Sequence, residues 1–141
     1  MTHLSACAGV GFKAEHAGEI LGGKASVGWF EIHPENYMVA GGPRLAMLAD
    51  VCAQYPVSMH GVGLSLGGGD PLDARHLADL KRLVDRFNPA MVSEHIAWSS
   101  HEGLYMADLL PTPMTKTSLD HLVAAIDTVQ SHIARRILIE N

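Results

Sequence analysis

Three polar residues lie at the downstream ends of short apolar segments. His60 ends segment 56–60, His95 ends segment 90–95, and Glu140 ends segment 137–140. Each segment has the apolar character of a buried parallel strand. The C-terminal ends of such strands meet at one rim of a barrel, where active sites lie. Because imidazole and carboxylate groups ligate transition metals, the three residues predict a metal site at this rim.

The alternation of side chains along a strand places these candidates on one face. The opposite phase contains Val57, Met59 and Val92, which we expect to pack outward against helices. A buried imidazole or carboxylate without a partner is costly, and a metal ion would pair with several at once. The alternative is that these groups hydrogen-bond to one another or to water. For the set of three we favour a metal, although three ligands do not distinguish iron from zinc.

A second polar segment follows the predicted strand 28–33. Glu31 and His33 have the same phase in their strand as the candidate ligands, and a Pro-Glu-Asn-Tyr sequence follows directly. Glu35 and Asn36 either face the pocket from the rim or belong to an ordinary turn. We therefore expect the residues that line the pocket to come from the following set: Glu31, His33, Glu35, Asn36 and Asn141.

The glycine-rich segment 61–69 resembles two known motifs imperfectly. Its glycines do not have the GxGxxG spacing of a dinucleotide site. Segment 63–67 matches the G-x-S-x-G nucleophile elbow, with Asp108 and His121 downstream. An elbow requires a helix to begin directly after the serine, whereas the next helix is predicted to begin near Asp70 and Pro71. A flexible rim loop is the favoured interpretation, and no catalytic nucleophile or general base is assigned.

The order of elements predicts an α/β fold with a parallel sheet. Five strands alternate with four connections that contain helical patterns, and segment 97–113 is predicted to be a long loop. Asp70 is the expected N-cap of the helix after the third strand, and Thr117 with Asp120 resembles a capping pair for the last helix. Since a complete (β/α)8 barrel takes about 250 residues, residues 1–141 are predicted to be a truncated N-terminal portion with roughly five strands.

Composition excludes several classes of protein. The chain has 141 residues, of which 48% are hydrophobic and 18% charged, with a formal net charge of −5. These values are typical of a compact domain and do not suggest a nucleic-acid partner. Two distant cysteines without CxxC spacing, and no apparent signal peptide or membrane span, favour a reducing cytoplasm. Three of the nine histidines lie in helical patterns and are expected to be exposed: His76, His121 and His132.

Several ordered motifs resemble one known family over residues 9–141. They are segments 9–12, 30–38, 58–65, 93–98 and 138–141. Together they resemble the multinuclear non-haem iron oxidases typified by the methanobactin-biosynthesis oxidase, many of which were long known only as a domain of unknown function.

The resemblance implies a TIM barrel of the xylose isomerase-like type that holds two or three irons. It also implies oxidation of a cysteine-containing peptide by O₂, often with a partner protein that delivers the peptide. By position, His60 and His95 resemble ligands of one iron, and Glu140 resembles a carboxylate that bridges two irons. Glu35 and Asn36 match a family motif without an assigned role. The remaining family ligands lie on later strands, so this piece is expected to be inactive alone.

Two alternatives remain open from the sequence. One is a divalent-metal isomerase or hydrolase, acting for example on sugars, that uses zinc or manganese on the same barrel. The other is a non-catalytic half-barrel. An unclosed parallel sheet exposes strand edges, which would favour a homo-oligomer.

Overall fold

The computed structural model describes residue 4 and residues 6–141, and its central element is a five-stranded parallel sheet. The strand order is β1-β2-β3-β4-β7, and every neighbouring pair is parallel, as expected for the predicted α/β fold. The strands are β1 (Gly9–Gly11), β2 (Trp29–Ile32), β3 (Val57–Gly61), β4 (Met91–His95) and β7 (Leu138–Glu140). The prediction of an α/β fold with five parallel strands is therefore confirmed.

Helical segments connect these strands. Short turns of 3-10, α and π type, Ala14–His16, α1 (Ala17–Glu19) and Ile20–Lys24, follow β1, and a 3-10 turn, Pro34–Tyr37, follows β2. The longer helices are α2 (Pro43–Gln54), α3 (Ala74–Phe87) and α4 (Lys116–Ile133). Pro43 begins α2, as expected from its fixed φ and missing N–H. No helix in the part of the chain that the structure describes is long and apolar enough to cross a membrane.

The hydrophobic core lies between the sheet and the helices, on the face that the strand alternation predicted. Val57, Met59 and Val92 are at most 3% exposed. They belong to one cluster with residues of all three longer helices, including Leu48 and Leu80. Because this face is filled by apolar side chains, the polar residues of opposite phase are left on the other face of the sheet.

Two predicted helix caps were wrong. The N-cap of α3 is Asp73, whose carboxylate accepts hydrogen bonds from the backbone N–H groups of Arg75 and His76, and Asp70 lies outside the helix. The N-cap of α4 is Thr115, whose hydroxyl accepts from the N–H of Ser118. In both cases the helix begins at the side chain that reaches the free N–H groups of the first turn.

The predicted long loop was also wrong in part, because segment 97–111 forms an antiparallel hairpin. Its strands are β5 (Ala97–His101) and β6 (Leu104–Pro111), joined by Glu102 and Gly103, both at positive φ. The pairing shifts register between Trp98 and Ser100, which indicates a bulge at Ser99. The hairpin stands beside the rim loop that follows β3, as a separate two-stranded sheet.

Candidate metal centre

The registers of the sheet bring the three candidate ligands together. His60 on β3 lies opposite Ser93 on β4, and His95 lies opposite Glu140 on β7. All three side chains have the phase opposite to the apolar core. One ligand atom from each of His60, His95 and Glu140 lies within 4.8 Å of the other two. The convergence that the sequence pattern predicted is therefore present in the structure.

The distances within this group suit a shared cation. The Nε2 atoms of His60 and His95 are 2.9 Å apart, and the Nε2 atom of His60 is 3.7 Å from Oε2 of Glu140. Ligands that each lie about 2.0–2.2 Å from one ion are separated by roughly these distances. His60 is nearly buried, with 9% of its side chain exposed, whereas 58% of the Glu140 side chain is exposed. The site therefore has a fixed imidazole side and an accessible carboxylate side.

Neighbouring groups orient the His60 ring. Its Nδ1 atom is 2.8 Å from the buried hydroxyl of Ser93. If the Nδ1–H donates to this hydroxyl, the lone pair lies on Nε2, which faces His95 and is the atom a metal needs. Nδ1–H of His33 donates to the carbonyl oxygen of His60 at 3.0 Å. Ser93 and His33 thus hold the candidate ligand through its ring and its backbone.

A buried carboxyl group next to the site was not predicted. Glu94 has the core-facing phase of β4 and is only 3% exposed, a position where an apolar side chain is expected. Its Oε1 accepts from the N–H of His95 at 3.2 Å, and its Oε2 occupies the space beside Gly61 that a Cβ atom would otherwise fill. Burial and, second, the charge of Glu35 raise the pKa of Glu94 to about 8. Glu94 is therefore accommodated because residue 61 has no side chain.

Glu35 anchors the start of the rim loop. Its Oε1 accepts hydrogen bonds from the N–H groups of Val62 at 2.8 Å and Gly63 at 2.9 Å. His76 on α3 approaches the same oxygen at 3.6 Å, with 17% of its side chain exposed. The expectation that His76 is simply an exposed helix residue was therefore wrong. Burial acts to raise the pKa of Glu35, but these hydrogen-bond partners lower it more, so its pKa lies below the ordinary value.

The rest of the rim loop is fixed to the hairpin. The hydroxyl of Ser65, which has a φ of 58°, accepts from the N–H groups of Ser99 at 2.9 Å and Ser100 at 3.3 Å. The N–H of Gly67 donates to the carbonyl of Ala97 at 2.8 Å. Ser65 is therefore engaged with backbone donors, and the helix begins nine residues later at Ala74, an arrangement unlike a nucleophile elbow.

The five residues expected to line one pocket are distributed over three cavities. Glu31, His33 and Asn36 line a cavity of about 410 Å³ at the rim of β1 and β2. Glu35 lines a second cavity of about 440 Å³ between the rim loop and the hairpin. Asn141 lines a third, of about 670 Å³, which is largely apolar and also contacts His95.

Comparison with known proteins identifies a family. Residues 7–141 match the family model described as RiPP precursor modification enzyme MbnB/TglH/ChrH. The chain is 52% identical over 138 residues to a UPF0276 protein of Caulobacter vibrioides, covering 98% of this chain and 49% of that protein. It is 50% identical over 138 residues to a UPF0276 protein of Bordetella pertussis, covering 98% and 48%. The chain thus spans about half the length of these relatives.

Proposed function

Because this chain belongs to the family of RiPP precursor modification enzymes MbnB/TglH/ChrH, we propose that it is part of an iron-dependent oxidase that modifies peptide cysteines with O₂. The observation that carries the proposal is the convergence of His60, His95 and Glu140 within 4.8 Å. A RiPP precursor is a peptide, so the substrate class follows from the family. Metal analysis tests the choice of iron, and a peptide assay tests cysteine as the reacting residue.

Within this proposal the residues of the chain have separate tasks. His60 and His95 would hold one iron through Nε2, Ser93 would keep the His60 lone pair on that atom by accepting from Nδ1–H, and Glu140 would supply a carboxylate ligand shared with a second iron. Bound iron would supply a binding position for the substrate thiolate and the electrons that O₂ accepts. Glu35 and Ser65 fix the rim loop, which follows His60 directly at the end of β3.

We also propose that the complete enzyme is a TIM barrel in which this chain supplies the first five strands. The cluster lies at the C-terminal ends of β3, β4 and β7, which is where a barrel places its active site. The relatives are about twice as long, which leaves enough chain for three further strands and their helices. The apolar residues that this remainder would cover are exposed here beside β7 and α4: Leu109, Met114, Leu119, Val123 and Leu138.

The same proposal makes the 141-residue chain inactive by itself, because the rest of the iron site would come from later strands. It also includes a partner protein that delivers the peptide, as the resemblance implies. Exposed edges and apolar surface would let the isolated chain associate with itself, and the mass measured by light scattering tests this expectation.

Metal binding is the direct test. We expect the purified chain to bind Fe²⁺ under anaerobic conditions, and His60→Ala or His95→Ala to weaken binding at least about tenfold. His121→Ala, which removes an exposed histidine of α4, is the matched control and should bind like the parent. Unchanged iron binding in both ligand variants would contradict the assignment. In a full-length relative, the corresponding substitutions should abolish the O₂-dependent mass change of a cysteine peptide.

The alternative metals are outcomes of the same experiment. Electron paramagnetic resonance and metal analysis of full-length protein purified without oxygen distinguish iron from zinc or manganese. A protein that retains only zinc or manganese, and leaves cysteine peptides unchanged under O₂, would favour the isomerase or hydrolase alternative.

A further inference from the structure

The polar cavity at the rim of β1 and β2, described above, lies beside the candidate metal centre. Its volume is about 410 Å³, and it is bordered by the ends of β1 and β2, the 3-10 turn after β2, and α2. His33 contributes to both places, since it lines the cavity and its ring centroid is 5.8 Å from that of His60. A group bound in this cavity would therefore lie next to whatever the metal centre holds.

The charged side chains around the cavity are poorly neutralised. Lys13 and Arg44 are exposed cations that line it, and Glu31 is the single carboxylate among its lining residues. Among the described residues, neither Lys13 nor Glu31 has a side-chain hydrogen bond or ion pair. The guanidinium of Arg44 donates one hydrogen bond, to the carbonyl of Asn36 at 2.9 Å. This contact orients the guanidinium and leaves most of its five N–H donors available.

The charged side chains that line this cavity have a net positive charge, opposite in sign to that of the whole chain. The whole chain carries a formal charge of −5, yet the cavity has two cations and one acid. The net charge of the chain therefore disfavours the approach of a peptide carboxylate, whereas the two cations of this cavity favour its binding here. A guanidinium held by a backbone contact, with an ammonium group nearby, is suited to bind a carboxylate through charge-assisted hydrogen bonds.

We infer that this cavity binds a carboxylate of the substrate peptide, within one or two residues of the reacting cysteine. The inference rests on the proposed function, because it uses the metal centre as the position of the cysteine. The span of one extended residue is about 3.3–3.6 Å, so a thiolate near His60 leaves a neighbouring carboxylate within reach of the cavity. The carboxylate comes either from the peptide C-terminus or from an adjacent acidic side chain.

Small probes test the inference on the 141-residue chain itself. N-acetylcysteine carries a terminal carboxylate, N-acetylcysteinamide carries none, and N-acetyl-glutamyl-cysteinamide carries one on a side chain. We would titrate each into metal-free, isotope-labelled protein and follow the Arg44 side-chain N–H and the Asn36 amide by NMR. At least one carboxylate probe should bind about tenfold or more tightly than N-acetylcysteinamide.

Charge-matched variants complete the design. Lys13→Gln with Arg44→Gln should lower the affinity for the carboxylate probe about tenfold or more, because both cationic partners are removed. Lys81→Gln with Arg75→Gln removes a half-buried and an exposed cation from α3, outside the lining of the cavity, and should leave binding of the probe unchanged. Preference for the terminal or for the side-chain carboxylate identifies the source. Equal binding of all three probes, or equal loss in both double variants, would overturn the inference.

The metal experiment keeps this result separate from the proposed function. Loss of Fe²⁺ binding in His60→Ala alongside carboxylate binding in the metal-free parent supports both. Failure of the parent chain to bind Fe²⁺ counts against the metal assignment while the carboxylate site is judged by its own titration.

Discussion

Replacing Ser65 by alanine should destabilise the protein, because one hydroxyl serves two backbone donors of the hairpin. Ser99 is 1% exposed and lies at the bulge of β5, where ladder pairing is interrupted. Its N–H therefore depends on Ser65, at 2.9 Å, and the N–H of Ser100 makes a longer contact at 3.3 Å. Leaving one buried donor unsatisfied costs about 1–3 kcal/mol, and the second contact is weaker. We expect Ser65→Ala to lower the free energy of unfolding by about 2–3 kcal/mol.

A glycine at the same position separates the two roles of Ser65. Its φ of 58° is in the left-handed region, which costs a non-glycine residue about 1–2 kcal/mol. Ser65→Gly loses the same hydrogen bonds but removes this strain, partly offset by about 0.5–1 kcal/mol of extra entropy lost on folding. Ser65→Gly should therefore cost less than Ser65→Ala.

Urea unfolding of both variants measures these differences, and hydrogen exchange at the Ser99 amide locates them. We expect this amide to exchange about tenfold or more faster in both variants. Ser131→Ala, on the exposed surface of α4, is the control and should change stability by no more than about 0.5 kcal/mol. A cost below about 0.5 kcal/mol for Ser65→Ala, or unchanged exchange at Ser99, would refute the reasoning.

Two further predictions follow from half-buried titratable groups. The folded-state pKa of Glu35 lies below its ordinary value, so the unfolded chain binds the proton more readily and stability falls as the pH drops below about 4.5. In Glu35→Gln, acid unfolding curves should show a smaller loss over this range, and an unchanged loss would assign the acid sensitivity to other groups. Burial raises the pKa of the Cys52 thiol from 9.0 to about 11. At pH 8, followed by mass spectrometry, iodoacetamide should therefore modify Cys52 about 100-fold more slowly in the folded protein than in urea, and equal rates would contradict this.

The sheet could be predicted from the sequence because its signals are local and repeated. Segments 56–60, 90–95 and 137–140 differ by one residue or less at each end from the observed strands β3, β4 and β7. Alternation along these strands also predicted which residues would share a face. The convergence of His60, His95 and Glu140 follows, since parallel neighbours with the same phase place their ends together.

What could not be predicted depends on contacts between distant segments. Glu94 has the phase of a core residue, and only the absence of a side chain at Gly61 makes room for its carboxyl group. The sequence contains no sign of this pairing until the register between β3 and β4 is known. In the same way, His76 has the pattern of an exposed helix residue until α3 is placed beside Glu35.

The hairpin was missed because its turn lacks the usual signal. Two-residue turns with positive φ at both positions favour Asn-Gly or Asp-Gly, whereas this one is Glu102-Gly103. The cap of α3 was misplaced because Asp70-Pro71 imitates a helix start three residues before the true one at Asp73. In both cases the sequence offers local options of similar quality, and the pattern favoured the wrong one.

The three candidate ligands differ in burial, from His60 to the exposed Glu140, and this difference sets the order in which they would leave the cluster. All five residues of β3 are buried, whereas β7 has three residues and, within the described chain, pairs along one side only with β4. Fraying of β7 therefore moves the Glu140 carboxylate away from the cluster, while the imidazoles of His60 and His95 stay in place on β3 and β4. In the isolated 141-residue chain, a cation held here would therefore exchange with solvent from the Glu140 side, at a rate governed by the opening of β7.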